Sequence, residues 1–175
     1  NSIGNCGGNT ASGGTLTFTT ATTQSWVGGA AESWSTATWD GGATDRVPLP
    51  QDTVILAPDT ADRVLTVDMP RIGYDLSVTR GKLTLGIGTT SYGSVNFTNL
   101  GALAGAFGWT FESKDRSGTH TLTSAGIPFI NTVTFSMAGT AKMSLADAFS
   151  SSSTVTSSST SSLVMNAFTM TLSGT

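Results

Sequence analysis

The sequence predicts an all-β fold: a short right-handed parallel β-solenoid with an aromatic N-terminal cap. Short segments that alternate an apolar residue with Ser or Thr recur along the chain, for example Thr132–Phe135 and Phe168–Leu172. This alternation is typical of strands with one face in a core. Three such segments in 119–145 are followed by three similar ones in 153–172, about 30 residues later, and repeats of this length are typical of solenoids. The outward positions are nearly all Ser or Thr, which stack well in ladders.

Two other all-β architectures stay open, a β-sandwich and a barrel, because both are also built from regular short strands. The tight-turn dipeptides of antiparallel hairpins are nearly absent, since only Asp40-Gly41 qualifies. No segment carries a convincing helical period of 3.6 residues. We therefore expect a parallel stack of three to four coils.

Composition excludes several classes of function. Charged residues make up 11% of the 175 residues, against about 25% in an average domain. The net charge of -3 argues against a nucleic-acid partner, which requires a basic surface. No apolar run is long enough to insert into a membrane. Cys6 is the single cysteine, so it is expected to be a free thiol or an interchain bridge.

The N-terminal third divides into two segments. Residues 1–24 are rich in Gly, Asn, Ser and Thr, with one strand-like run at Thr15–Thr19, and are expected to be flexible or ordered by a partner. Residues 25–52 contain Trp26, Trp34 and Trp39. We interpret them as a cap, because an uncovered first coil would pair with other chains. A platform that stacks on sugars and a contact with another subunit remain alternatives for the same three residues.

Residues 53–175 are predicted to form the coils. Turn signals containing Gly, Pro or Asp separate the segments. Leu100–Phe107 is predicted to be a loop or a single turn, and Ser144–Phe149 a turn. The predicted strands are 53–57, 64–68, 75–79, 82–85, 94–98, 108–112, 119–123, 132–135, 141–145, 153–156, 163–165 and 168–172.

Carboxylates are the first candidates for chemistry, since glycosidases need two of them a few ångströms apart. Outside the cap the close pairs in sequence are Glu112 with Asp115 and Asp59 with Asp62. Both pairs lie beside turns or basic residues, and Glu32 stands alone. We interpret both pairs as solvated surface charges.

Nucleophilic and metal chemistry find little support. His120 is the only histidine, is expected to face outward, and is not accompanied by a Gly-x-Ser-x-Gly elbow. Asp40, Asp45 and Asp52 could supply oxygens to calcium, but no known calcium loop surrounds them. Thr-x-Thr rows such as Thr132-Val-Thr134 suggest ice binding, although they recur at unequal intervals. The sequence therefore predicts a protein that is not an enzyme and needs no cofactor.

Several motifs together resemble parallel β-helix repeats in structural proteins of tailed phages. The entry motif is Trp34-Ser35, Trp39 with Gly41-Gly42, Val47-Pro48 and Asp52-Thr-Val-Ile55. The later segments 132–135, 142–149 and 162–172 are similar to the repeats of such proteins, and the likeness covers most of residues 33–175.

The resemblance implies a virion structural protein: a tail fibre or spike, or a capsid-attached fibre or decoration protein. It implies a homotrimer that contacts other virion proteins and serves host attachment, with a host-surface glycan as an additional partner. Two alternatives remain: an adhesin or carbohydrate-binding module on the bacterial cell surface, and a polysaccharide-cleaving tailspike. No catalytic residue carries over from such spikes to this sequence.

Overall fold

The computed structural model describes residues 21–29, 31–41, 45–113, 117–158 and 162–172. These ranges contain no helix and eighteen short strands. The strands are β1 (Thr23–Trp26), β2 (Ala31–Ser33), β3 (Trp39–Asp40), β4 (Thr53–Leu56), β5 (Val64–Val67), β6 (Leu76–Val78), β7 (Lys82–Leu85), β8 (Thr89–Ser91), β9 (Val95–Asn96), β10 (Ala102–Gly105), β11 (Trp109–Glu112), β12 (Thr119–Thr123), β13 (Val133–Ser136), β14 (Lys142–Leu145), β15 (Phe149–Ser151), β16 (Val155–Ser157), β17 (Ser162–Val164) and β18 (Met170–Leu172).

The strands form four sheets, which are the sides of a stack. Sheet A has the order β17-β14-β12-β9-β6-β4-β1-β3, and sheet B has the order β10-β7-β5-β2. Sheet C has the order β16-β13-β11-β8, and sheet D pairs β15 with β18. All pairings are parallel except that of β1 with β3. Parallel strands joined in this order make a β-solenoid of about five turns, which confirms the predicted fold class.

The coils are shorter and more numerous than the sequence pattern suggested. Thr156 lies beside Thr134, 22 residues earlier, and Ser94 lies beside Asp75, 19 residues earlier. Parallel neighbours are 30 and 33 residues apart where β1 pairs with β4 and β2 with β5, and between 18 and 27 residues apart in all later coils. The predicted period of about 30 residues for the segments 119–145 and 153–172 is therefore wrong, because these strands stack at spacings of 20 to 23 residues. The predicted triplet placed the segment 141–145 in the same coil as 119–123, whereas β14 stacks directly on β12 in the next coil.

Most predicted strands are present, with small shifts at their ends. The strands that sequence reasoning missed are β1, β2, β3, β8, β10 and β15. Leu100–Phe107 was predicted to be a loop or turn, but β10 lies within it, and β15 begins at Phe149, the end of a predicted turn. These strands have two to four residues, and none of them has more than one buried apolar residue, as in β8, where the buried residues are Thr89 and Ser91. They therefore lack apolar periodicity.

The core is a column of side chains between the sheets. Inward positions repeat in register, as where Leu65 lies below Leu83 and Val133 below Val155. A polar inward position can find its partner within the core: the Ser91 hydroxyl accepts a 3.0 Å hydrogen bond from the Trp109 indole nitrogen. Burial of these columns is the main stabilising contribution, because each coil can hide its apolar face only against its neighbours.

A second group of aromatic residues fills the middle and upper coils. Phe111 stacks on Phe135 with ring centroids 5.3 Å apart, and Phe129 stacks on Phe149 at 5.2 Å. Trp109 joins them through Phe111 at 5.8 Å. Each of these rings is almost fully buried. The group was not predicted, because its members are scattered over 40 residues and meet only when the coils stack.

Sheet B stops at β10, although sheets A and C continue past it. In the next coil no strand pairs with β10, and the corresponding part of the wall is formed at Phe129. Phe129 forms a parallel bridge with Ser151 of β15, so it belongs to the side formed by sheet D. The result is a step in the wall of the solenoid. Leu103, which continues the buried column of Leu65 and Leu83, is only half-buried at this step.

Candidate functional site

Trp26, Trp34 and Trp39 lie together at the N-terminal end of the stack. The exposed fractions of their side chains are 0%, 0% and 4%. The rings of Trp34 and Trp39 are 4.7 Å apart, and the Trp39 indole nitrogen donates a 3.0 Å hydrogen bond to the Trp34 carbonyl oxygen. With no ring face exposed, the three residues form an aromatic cap, and they offer no surface on which a sugar could stack.

The cap is continuous with the coils in its hydrogen bonding. β1 pairs in parallel with β4, and β2 pairs in parallel with β5. Strand stacking thus begins at Thr23, at the end of the segment 1–24 that was predicted to be flexible, and continues through residues 25–52. The antiparallel strand β3 covers the outer edge of β1. This reversal of direction ends sheet A at its N-terminal side, as expected of a cap that protects a strand edge. The strand-like run Thr15–Thr19, and Cys6, lie outside the described residues.

Glu32, which looked isolated in the sequence, anchors the cap. Its carboxylate accepts a 2.7 Å hydrogen bond from the Trp26 indole nitrogen and a longer one from the Thr38 backbone. A buried indole N–H needs such a partner, since an unmet donor costs free energy. Glu32 therefore fixes the orientation of Trp26, and nothing in the sequence spacing pointed to that pairing.

Asp52 is fully buried and ties two coils together. Its carboxylate accepts hydrogen bonds from the Arg46 guanidinium, from the Leu49 backbone at 2.6 Å and from the Thr22 backbone at 2.9 Å. Burial alone would raise the pKa of the Asp52 carboxyl, but the bonds from Arg46, Leu49 and Thr22 outweigh it and lower that pKa below its usual range. Because its oxygens are engaged in this way, Asp52 is poorly placed to bind a cation.

Three more aspartates join neighbouring coils. Asp68 accepts a 2.9 Å bond from the backbone of Ser35, Asp75 accepts one of 2.7 Å from Ser94, and Asp147 accepts one of 2.8 Å from Ser124. Burial would raise the pKa of the Asp68 carboxyl, but the bonds from Ser35 exceed that effect and lower it. We call these residues, with Asp52, the coil-tying aspartates. Their common role is to fix turns of adjacent coils.

The Asp59–Asp62 pair suggested by the sequence is not arranged as a catalytic dyad, because each carboxylate pairs with a different cation. Asp59 forms a two-bond ion pair with Arg63, and the hydrogen bond from Arg63 lowers the pKa of the Asp59 carboxyl. Asp62 pairs instead with Lys82, whose hydrogen bond lowers the pKa of the Asp62 carboxyl. These are exposed ion pairs of small energetic value. In the other pair, Asp115 lies outside the described residues.

His120 faces inward, so the predicted outward position is wrong. Its side chain is 5% exposed. Strand alternation explains this, because His120 and Leu122 are two residues apart and share one face. Its Nε2 lies 3.0 Å from the Ser113 hydroxyl, and its ring meets the edge of Tyr74 at 5.7 Å. Ser113 is itself 2% exposed, so this Ser–His contact is closed to a substrate.

The calcium hypothesis gains no support. Asp45 accepts a 3.0 Å bond from the Gly41 backbone, Asp40 lies in β3, and Asp52 is held by Arg46. Within the described part of the chain, no three His, Cys, Asp or Glu residues come together as metal ligands would. Nor does that part contain a helix that is long and apolar enough to cross a membrane.

Sheet C carries a column of threonines that the sequence intervals concealed. Thr90, Thr110, Thr134 and Thr156 occupy one outward position in four successive strands. The hydroxyls of Thr134 and Thr156 are 2.9 Å apart and hydrogen-bonded. The four threonines are unequally spaced in the sequence, and loops of different length bring them into register. Because threonine is restricted at χ1, the column is an ordered, uncharged surface.

In comparison with known proteins, no family model matches this chain, and neither a curated protein nor a solved structure matches it significantly. The function of this chain is therefore inferred from its own residues and their arrangement.

Proposed function

We propose that this chain is a non-enzymatic structural module that keeps a stiff, stacked shape and acts through its outer faces. One observation carries this proposal: His120 and most of the buried or part-buried acidic side chains that the structure describes are used in packing. His120 and Ser113 are buried together, and the coil-tying aspartates hold neighbouring turns. A side chain that is committed to the fold is a poor general acid, base or nucleophile.

The finer proposal is a place in a phage virion, as a tail fibre or spike, or as a capsid-attached fibre or decoration protein. It rests on the sequence resemblance of residues 33–175 to β-helix repeats. A solenoid suits this role because each coil is braced by its neighbours along one axis. Copies of the chain, expected as a homotrimer, and other virion proteins would be its partners, with a host glycan as an additional ligand.

Immunogold labelling tests this placement. Antibody raised against the chain is applied to purified phage particles and to cell envelopes from the same culture that carries the gene. Gold on the particles supports the virion role. Gold on the envelopes with bare particles contradicts it, and favours the alternative of an adhesin on the bacterial cell surface.

A separate assay tests the non-enzymatic proposal. The purified chain is incubated with a panel of bacterial capsular and cell-wall polysaccharides, and the release of reducing ends is measured. We expect no release above that of the heat-unfolded chain. Release that is lost in Glu112→Gln would contradict the proposal and favour a polysaccharide-cleaving tailspike.

The threonine column supports a second candidate function, binding to an ordered surface such as ice. The four stacked residues repeat at the strand spacing of about 4.8 Å, and each offers one hydroxyl and one methyl group. The neighbouring outward position holds threonine in only two coils, at Thr132 and Thr154. Ice recrystallisation that is inhibited by the wild type but not by Thr134→Lys would favour this function, and no inhibition by the wild type would exclude it.

A further inference from the structure

We draw no further inference here: the strongest candidate, the C-terminal end of the described stack, where β16, β17 and β18 leave Val155, Leu163 and Met170 only partly buried, carries nothing because no feature of the structure shows what covers it.

Discussion

The Trp26 indole nitrogen donates a 2.7 Å hydrogen bond to the carboxylate of Glu32, six residues further along the chain. The pair joins β1 to the strand that follows it, β2, and it orients one of the two fully buried tryptophans of the cap. The cap is therefore held by one specific polar contact in addition to apolar burial.

Loss of that contact should weaken the fold. Glu32→Ala leaves the buried Trp26 N–H without its acceptor and should lower the free energy of unfolding by about 1–3 kcal/mol. Glu32→Gln keeps an acceptor and should lose less. Urea unfolding followed by tryptophan fluorescence measures both. Asp62→Ala is the control, because that carboxylate is almost fully exposed, and an Asp62→Ala effect as large as that of Glu32→Ala would refute the assigned role.

Asp52 should make the fold sensitive to acid. The pKa of the Asp52 carboxyl is lowered in the folded state. The contribution of Asp52 to the free energy of unfolding is therefore complete above the ordinary carboxyl pKa and is lost as the pH falls through the lowered value. At neutral pH, Asp52→Ala removes the ion-pair partner of Arg46 and leaves the backbone donors of Leu49 and Thr22 unpaired, so it should cost about 3–5 kcal/mol. Urea unfolding at a series of pH values should show the difference between wild type and Asp52→Ala shrinking towards acid. A difference that is independent of pH would contradict this role.

The buried aromatic group should be the most sensitive part of the core. Phe135 packs between Phe111 and Phe149, so Phe135→Ala opens a cavity and should cost about 3–5 kcal/mol. Phe168→Ala removes the same side chain from a position that is 40% exposed and should cost much less. Equal unfolding midpoints for the two variants would show that the coils do not stack as described.

Gly105 should tolerate no side chain. It ends β10 with φ = +109°, and an added Cβ would overlap the backbone oxygen of Leu85 in the coil below. Gly105→Ala should therefore destabilise the chain by both strain and overlap. Gly88→Ala is the matched control. Gly88 lies between β7 and β8, in the coil below, and a Cβ added there meets nothing within 4 Å. If thermal unfolding shows the same midpoint for both variants, the close approach of β10 to β7 is wrong.

The sequence predicted the class of fold because period-two alternation depends on local residue types. It did not predict the coil length. β15 carries Phe149-Ser-Ser151, with a single apolar residue, so this side of its coil shows no alternation in the sequence and two coils resemble one longer repeat. The period-two alternation could have placed His120 correctly, since His120 and Leu122 are two residues apart and therefore lie on the same face of the strand.

The surfaces were harder to predict than the core. The threonine column is built from residues that are 20 to 24 positions apart in the sequence, at intervals that differ from coil to coil. Only the stacking register brings Thr134 to Thr156. The anchoring role of Glu32 was hidden for the same reason, because a hydrogen bond across a turn leaves no mark in the spacing of residue types.

The stacking register of the coils is the central claim, because it determines which polar residues are buried and which threonines share an outer surface. The direct measurement is pyrene fluorescence of Thr134→Cys/Thr156→Cys in a Cys6→Ser background, labelled at both cysteines and diluted until contacts between chains vanish. The account predicts strong excimer emission, since the two residues are neighbours on β13 and β16. Thr84→Cys/Thr156→Cys, on two different sheets, should emit as monomer. Monomer emission from the first pair, or equal excimer emission from both, would contradict the account.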